Sequence, residues 1–157
     1  MKANLAVGVL AVVVIGVVGV MASQALSQRA APETAVTVTM YKSPSCGCCG
    51  QYAAYLKREG YGVDVEGVAD MSIIKERYGV PYELESCHTM EVDGYVVEGH
   101  IPEEAVQRLL ALRPDIKGIG MGGMPSGSPG MPGPKNTDFV IYEITHDGAK
   151  GDVFMTI

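Results

Sequence analysis

The chain has 157 residues, one domain's worth of sequence once an apolar N-terminal stretch is set aside, and a formal net charge of −6. Without Lys2, the remaining 11 basic residues face 18 acidic ones, a balance of −7. That balance argues against nucleic acid, whose affinity comes from cationic contacts with phosphate, and against an anionic membrane surface as a main partner.

In chain order the first element is "LAVGVLAVVVIGVVGVMA", residues 5–22, which carries no charge. As a helix its 18 residues reach about 27 Å, enough to cross a bilayer core. Val20 and Ala22, or Ser23 and Ala25, stand at the spacing a signal peptidase reads. Residues 1–25 therefore read as a signal peptide or, because the apolar run is long, as an uncleaved signal-anchor with Lys2 held inside. Both readings export the rest of the chain, and the membrane is touched only through this segment if it stays uncleaved. Residues 26–34, "LSQRAAPET" with Ala25 before it, form a polar linker, and a single folded domain spans 35–157.

"AVTVTMY" (35–41) alternates and is β-branched, which predicts a strand. From Cys48 to Glu59 the period turns helical, with Cys49, Tyr52, Ala53 and Leu56 on one face and Gly60 at the C-terminal stop. "GVDVEGV" (62–68) is a second strand. Asp70 caps a short helix over 71–78 that ends at Gly79 and Pro81. "HTMEV" and "YVVEGH" flank Asp93-Gly94, a strong hairpin dipeptide. Pro102, Glu103 and Glu104 open a helix that runs to Pro114, the acids suiting the helix dipole. Residues 114–137 show no periodicity and read as one long loop rich in Gly, Pro and Met. "FVIYEI" and "DVFMTI" close the chain as a β-hairpin. The resulting order, β-α-β-α-β-β-α, loop, β-β, predicts an α/β, thioredoxin-like domain with a mixed β-sheet and flanking helices.

The chemistry concentrates in the cysteines. Three of the chain's four stand in "SPSCGCCG", as Cys46, Cys48 and Cys49, at the junction of the first strand and helix. Exported chains meet an oxidising compartment, where four cysteines can be two structural disulfides. Structural bridges, however, usually close long loops, and three thiols in one turn do the opposite. The cluster is therefore read as reactive or metal-binding. A thiol at a helix N-terminus is biased towards the thiolate, the form that attacks disulfides and binds metals. Helical phase turns Cys49 towards the sheet, leaves Cys46 in the loop as the most exposed, and points Cys48 about 100° from Cys49. Read one way, Cys46-Gly47-Cys48-Cys49 is a C-x-x-C motif with an extra thiol inside it, with Cys46 and Cys49 expected as the central redox pair.

The fourth cysteine, Cys87, is followed by His88, and counting back from the Asp93-Gly94 turn sets both opposite the cluster. Cys46, Cys48, Cys49, Cys87 and His88 then make a soft donor set, which suits Cu(I), zinc or iron–sulfur. Met121, Met124 and Met131 add thioethers from the long loop, which favour Cu(I) over zinc; Met124 and Met131 are taken as candidate ligands. Zinc stays open, although its usual paired Cys/His knuckles are missing, and iron–sulfur is disfavoured because an exported chain crosses unfolded, away from cluster assembly. His100 and His146 are assigned surface or capping roles ahead of ligation, with His100 the better outside candidate because strand ends can return toward the site.

"KSPSCGCCG", "GVP.EL.SCHT", "V.GY..EGH.P", "LL..RPDIKGI" and "GMP.GSPGM", in that order, resemble the domain-of-unknown-function 411 family of CopG-type periplasmic copper proteins. The resemblance runs from about Tyr41 to Ile157. It implies a thioredoxin-like fold, a periplasmic location, a part in copper resistance, and a thiolate site of Cys46, Cys48, Cys49 and Cys87 beside His88 that can hold more than one copper. It also implies interconversion of Cu(I) and Cu(II). Copper ions are the expected partner, with efflux or chaperone proteins as candidates beyond them. Two rivals stand beside this reading: a metal-free thiol–disulfide oxidoreductase, and a passive Cu(I) metallochaperone or buffer.

Overall fold

The computed structural model describes residues 36–157. The signal or anchor assigned to 1–25 and the linker assigned to 26–34 lie outside the described residues. Among the described residues no helix is long and apolar enough to cross a membrane.

The order of elements is β1 (Thr37–Lys42), α1 (Gly47–Arg58), β2 (Gly62–Gly67), α2 (Met71–Tyr78), a 3₁₀ turn (Tyr82–Leu84), β3 (His88–Val92), β4 (Tyr95–Glu98), α3 (Glu103–Leu112), β5 (Gly118–Gly120), β6 (Val140–Ile144) and β7 (Lys150–Thr156). The strands form one sheet in the order β2-β1-β3-β4-β5-β6-β7. Pairs β1/β2 and β4/β5 are parallel, and the other four pairs are antiparallel. The mixed α/β architecture is the one predicted, and the β2-β1-β3-β4 half of the sheet is compatible with a thioredoxin-like arrangement.

Local chemistry sets most boundaries. Asp70 caps α2 by accepting from the Ser72 backbone N–H at 3.0 Å, and Gly79 ends it at φ 59°. Asp93 and Gly94 both adopt positive φ, 48° and 86°, as a two-residue hairpin turn between β3 and β4 requires. Pro102 falls at the N-cap of α3, one place before its expected position.

The long loop needs correction. Residues 118–120 are not loop but β5, a strand inside the sheet between β4 and β6. "GIG" is too short and too rich in glycine to carry a strand period. Its glycine is required nevertheless: a Cβ on Gly118 would fall 1.9 Å from the Val96 carbonyl oxygen on the neighbouring strand.

The two faces of the sheet are covered unequally. On one face Val38, Met40, Met90, Val97 and Ile119 meet Tyr52 and Leu56 of α1 and Val106 and Leu109 of α3 in the main core. Burying one such side chain stabilises by about 1.5–3 kcal/mol. On the other face Val80, Leu84, Val96 and Ile144 form a smaller core, beside which α2 buries Ile74 and Lys75. Met121 also enters the main core with 4% of its surface exposed, so the loop after β5 begins docked rather than free.

Candidate metal centre

The site lies where β1, α1 and the start of β3 converge. Cys46 is the N-cap of α1: its Sγ accepts from the Cys49 N–H at 3.3 Å, and its own N–H donates to the Ser43 carbonyl at 3.0 Å. Cys49 heads the apolar stripe of α1 and is fully buried, as its phase predicts. Cys46, expected in the loop as the most exposed, is half-buried like Cys48 and Cys87, because it is bonded to Cys49 in a disulfide with Cα atoms 5.5 Å apart. Cys48 and Cys87 are free thiols.

Cys87 enters from the other side, as counting back from the hairpin predicts. Its Sγ lies 3.9 Å from Cys48 Sγ, which in turn lies 3.4 Å from Cys46 Sγ. The Cys87 carbonyl oxygen touches Cys49 Sγ at 3.8 Å, a packing contact since a disulfide sulfur has no proton to donate. All four sulfurs fall within 4.8 Å of one another. Burial, and then the neighbouring Cys48, push the Cys87 thiol up to about 11, with the Lys75 ammonium pulling the other way.

Residues the sequence reading missed hold this segment in place. The Ser86 N–H donates to Glu98 Oε1 at 2.7 Å and Thr89 Oγ1 donates to Glu98 Oε2 at 2.6 Å, while Lys75 Nζ pairs with Glu98 Oε1. The Gly99 N–H donates to the His88 carbonyl at 3.1 Å. Cys87 is thus bracketed by backbone and side-chain bonds to β4 and the glycine after it. Buried charge on a short helix and on a four-residue strand was the available signal: "IIKE" and "YVVE" each place a charged residue next to aliphatic ones.

His88 is not one of the four clustered donors. It pairs in register with Lys42 of β1, points into the main core, and packs on the Tyr52 ring with centroids 4.6 Å apart. His100 corrects the surface or capping role assigned to it. It is fully buried, its ring 4.8 Å from that of His88 and 5.5 Å from that of Tyr52, because Gly99 at φ 86° turns the chain back under the sheet. His100 Nδ1 lies 2.7 Å from the Pro129 carbonyl oxygen. Its Nε2 and both ring nitrogens of His88 have no hydrogen-bond partner among the described residues. Burial drives the His88 imidazole down to about 3, with His100 and Lys75 adding to the shift; burial lowers His100 as well. His146 is exposed, as expected, and meets Asp115 at 3.0 Å.

The Gly/Pro/Met loop lies across α1. A Cβ on Gly130 would fall 2.7 Å from the Tyr52 backbone N and 2.9 Å from the Cys48 carbonyl, so glycine permits this contact. Met131 and Pro132 share with Cys48, Gln51, Tyr55 and Arg58 the walls of an open cleft of about 510 Å³. Met124 is exposed and does not line it. The loop thus brings Met131 beside the cluster and leaves Met124 away from the cleft.

Fold and site together define an α/β protein with a four-sulfur centre at a strand-to-helix junction. Residues 84–131 match the family model described as "Protein of unknown function, DUF411". Two solved structures, both of the copper resistance protein CopG, are 35% identical to the chain, cover 78% of it, and are themselves covered over 98% of their length. They superpose with TM-scores of 0.72 for form 2 and 0.71 for form 1. No curated protein matches the chain. The chain belongs to the CopG-type DUF411 family.

Proposed function

We propose that this protein handles copper outside the cytoplasm, in the periplasm, as part of copper resistance. In this reading it holds Cu(I) on Cys46, Cys48, Cys49 and Cys87 when reduced, and exchanges electrons with copper through its thiols. One observation carries it: four sulfurs from two separate elements converge within 4.8 Å. Thiolates in that number and proximity suit Cu(I), because soft sulfur ligands select it and bridge it readily. The two similar structures, both of a copper resistance protein, support the choice of metal. The uncharged stretch 5–22 supports export.

The residues have distinct tasks. Cys46 and Cys49 store electrons: the dithiol becomes the observed disulfide when it gives up two electrons. Cys48 and Cys87 complete the thiolate set. Metal must displace the thiol protons, so loading weakens as pH falls. Met131, at the mouth of the cleft, offers a thioether to incoming Cu(I), and His88 is the nearest imidazole in sequence to the cluster. Met124 stands as an outer thioether on the same loop. Partners that deliver or remove the ion would be copper chaperones or efflux proteins.

The test is anaerobic titration of the reduced protein with Cu(I), counting metal and thiols together. Retention of copper against a moderate Cu(I) chelator is expected, and Cys87→Ser is expected to hold fewer ions. A reduced protein that cedes all its copper sinks the reading and leaves the metal-free oxidoreductase, which the Cys46–Cys49 disulfide at a helix start favours. If copper is retained but Cu(II) is not reduced as thiols are lost, the protein is a passive carrier.

A further inference from the structure

We propose that Cys48 and Cys87 are a second redox pair, so that the centre gives up electrons in two steps and ends with two disulfides, Cys46–Cys49 and Cys48–Cys87. The inference rests on the copper reading and deepens it. It names which thiols reduce the metal and what state of the site lets the ion go.

The geometry leaves Cys48 few alternatives. Cys46 and Cys49 are bonded to each other. Cys49 also projects about 100° away from Cys48 around the helix. Among the described residues the free thiol beside Cys48 is Cys87, with sulfurs 3.9 Å apart. A disulfide needs about 2.05 Å. The two sulfurs must approach by about 1.9 Å, the difference between 3.9 Å and that bond length, and both residues are half-buried rather than locked in the core. The backbone does not drift: Ser86 and His88, on either side of Cys87, are bonded to Glu98 and Gly99. Cys48 is fixed by the first turn of α1.

The step balances with cupric ion as oxidant. Two Cu(II) each take one electron, two S–H bonds break, one S–S bond forms, and two protons pass to solvent with two Cu(I) as products. Repeating the step at Cys46 and Cys49 doubles the yield. Once both bridges have formed no thiolate remains in the cluster, so the oxidised site has lost the groups that retain Cu(I), and reduction restores them. Redox state then controls the cargo as well as the electrons.

The experiment begins with the protein carrying the Cys46–Cys49 disulfide, treated anaerobically with excess Cu(II) and a Cu(I)-specific chelator. Free thiols should fall from two to none per chain, two Cu(I) should appear, and peptide mapping should join Cys48 to Cys87 within one chain. From fully reduced protein the yield should double to four, and Cys48→Ser should return it to two. Survival of both thiols, a bridge between two chains, or any other pairing overturns the inference. If the reduced protein still holds Cu(I) in that case, the pairing has failed and the copper reading stands. If the reduced protein holds none, the copper reading falls and this inference with it.

Discussion

Two buried polar clusters flank the entry of β3, one on each face of the sheet, and they are built to opposite rules. On the α2 face, Glu98 takes Lys75 and the Ser86 N–H on one oxygen and Thr89 on the other. On the α1 face, His88 and His100 pack on Tyr52, and three of their four ring nitrogens have no hydrogen-bond partner among the described residues. Burying a polar group without a partner costs about 1–3 kcal/mol, and the second arrangement carries that cost uncompensated. The first carries a desolvation cost too, since burial raises the Glu98 pKa, but Lys75, Thr89 and Ser86 offset it in part. The satisfied cluster fixes the backbone that presents Cys87. The unsatisfied one keeps two neutral imidazoles beneath a site made of sulfur. The buried charge positions a backbone, whereas the buried neutral bases leave ring nitrogens without partners among the described residues.

The sharpest way to break this contrast is to unbalance the satisfied side. Lys75→Met leaves the Glu98 carboxylate buried without its cation, and removing one partner of a buried pair typically costs about 3–5 kcal/mol. Urea unfolding should show a loss of that size. Replacing both partners, Lys75→Met with Glu98→Leu, should recover part of it, because the desolvated charges go together. If the double variant is no better than the single, the pair is not acting as a unit. Near-native stability of Lys75→Met would mean that the Ser86 and Thr89 bonds alone hold Glu98.

How far the sequence revealed these two clusters follows from the range of the interactions. Elements ended by short-range chemistry were legible: Asp70 and Gly79 bound α2, and Asp93-Gly94 turns the hairpin. The inward Cys49 followed from helical phase, and Cys87 opposite the cluster followed from hairpin register. β5 was not legible, because Gly118-Ile119-Gly120 has no pattern and owes its strand to the edges offered by β4 and β6. His100 was misjudged for a related reason. It lies just past a strand end, where the positive φ of Gly99 turns it inward against His88 and Tyr52, and its ring meets the Pro129 carbonyl, 29 residues on in a loop without periodicity. Lys75–Glu98 joins residues 23 apart on a helix and a strand, so neither segment names its partner.

Between the clusters stands Cys87, and its reactivity reports which one governs it. Its thiol is pushed up to about 11 from 9.0, first by burial and then by Cys48. Only the thiolate is alkylated, so near pH 8 iodoacetamide should label Cys87 roughly 100-fold more slowly than an unperturbed thiol, two pH units' worth. The rate should rise with pH until about 11. Lys75→Met should slow it further, since that ammonium favours the thiolate. Labelling at the rate of a free cysteine would show that the segment opens, and that the bonds from Ser86 and His88 do not fix it in solution.

The unsatisfied side is tested by acid, with a smaller effect. The folded His88 titrates near 3 and an unfolded one near 6.5, so between those values the unfolded chain binds the extra proton. The contribution of a neutral His88 to stability is therefore complete above about pH 6.5 and is lost as pH falls towards 3. At pH 5 the loss reaches about 2 kcal/mol, from 1.36 kcal/mol per unit of pH. His88→Phe keeps a ring against Tyr52 and removes the titration. In metal-free protein, the unfolding free energies of wild type and variant should run parallel above pH 7 and diverge below 6.5, with the variant the more acid-resistant. Removing two nitrogens without hydrogen-bond partners should also leave the variant no less stable at pH 7.5. Parallel curves down to pH 4 would show that protonated His88 is accommodated, and that this cluster is as well provided with partners as the one around Glu98.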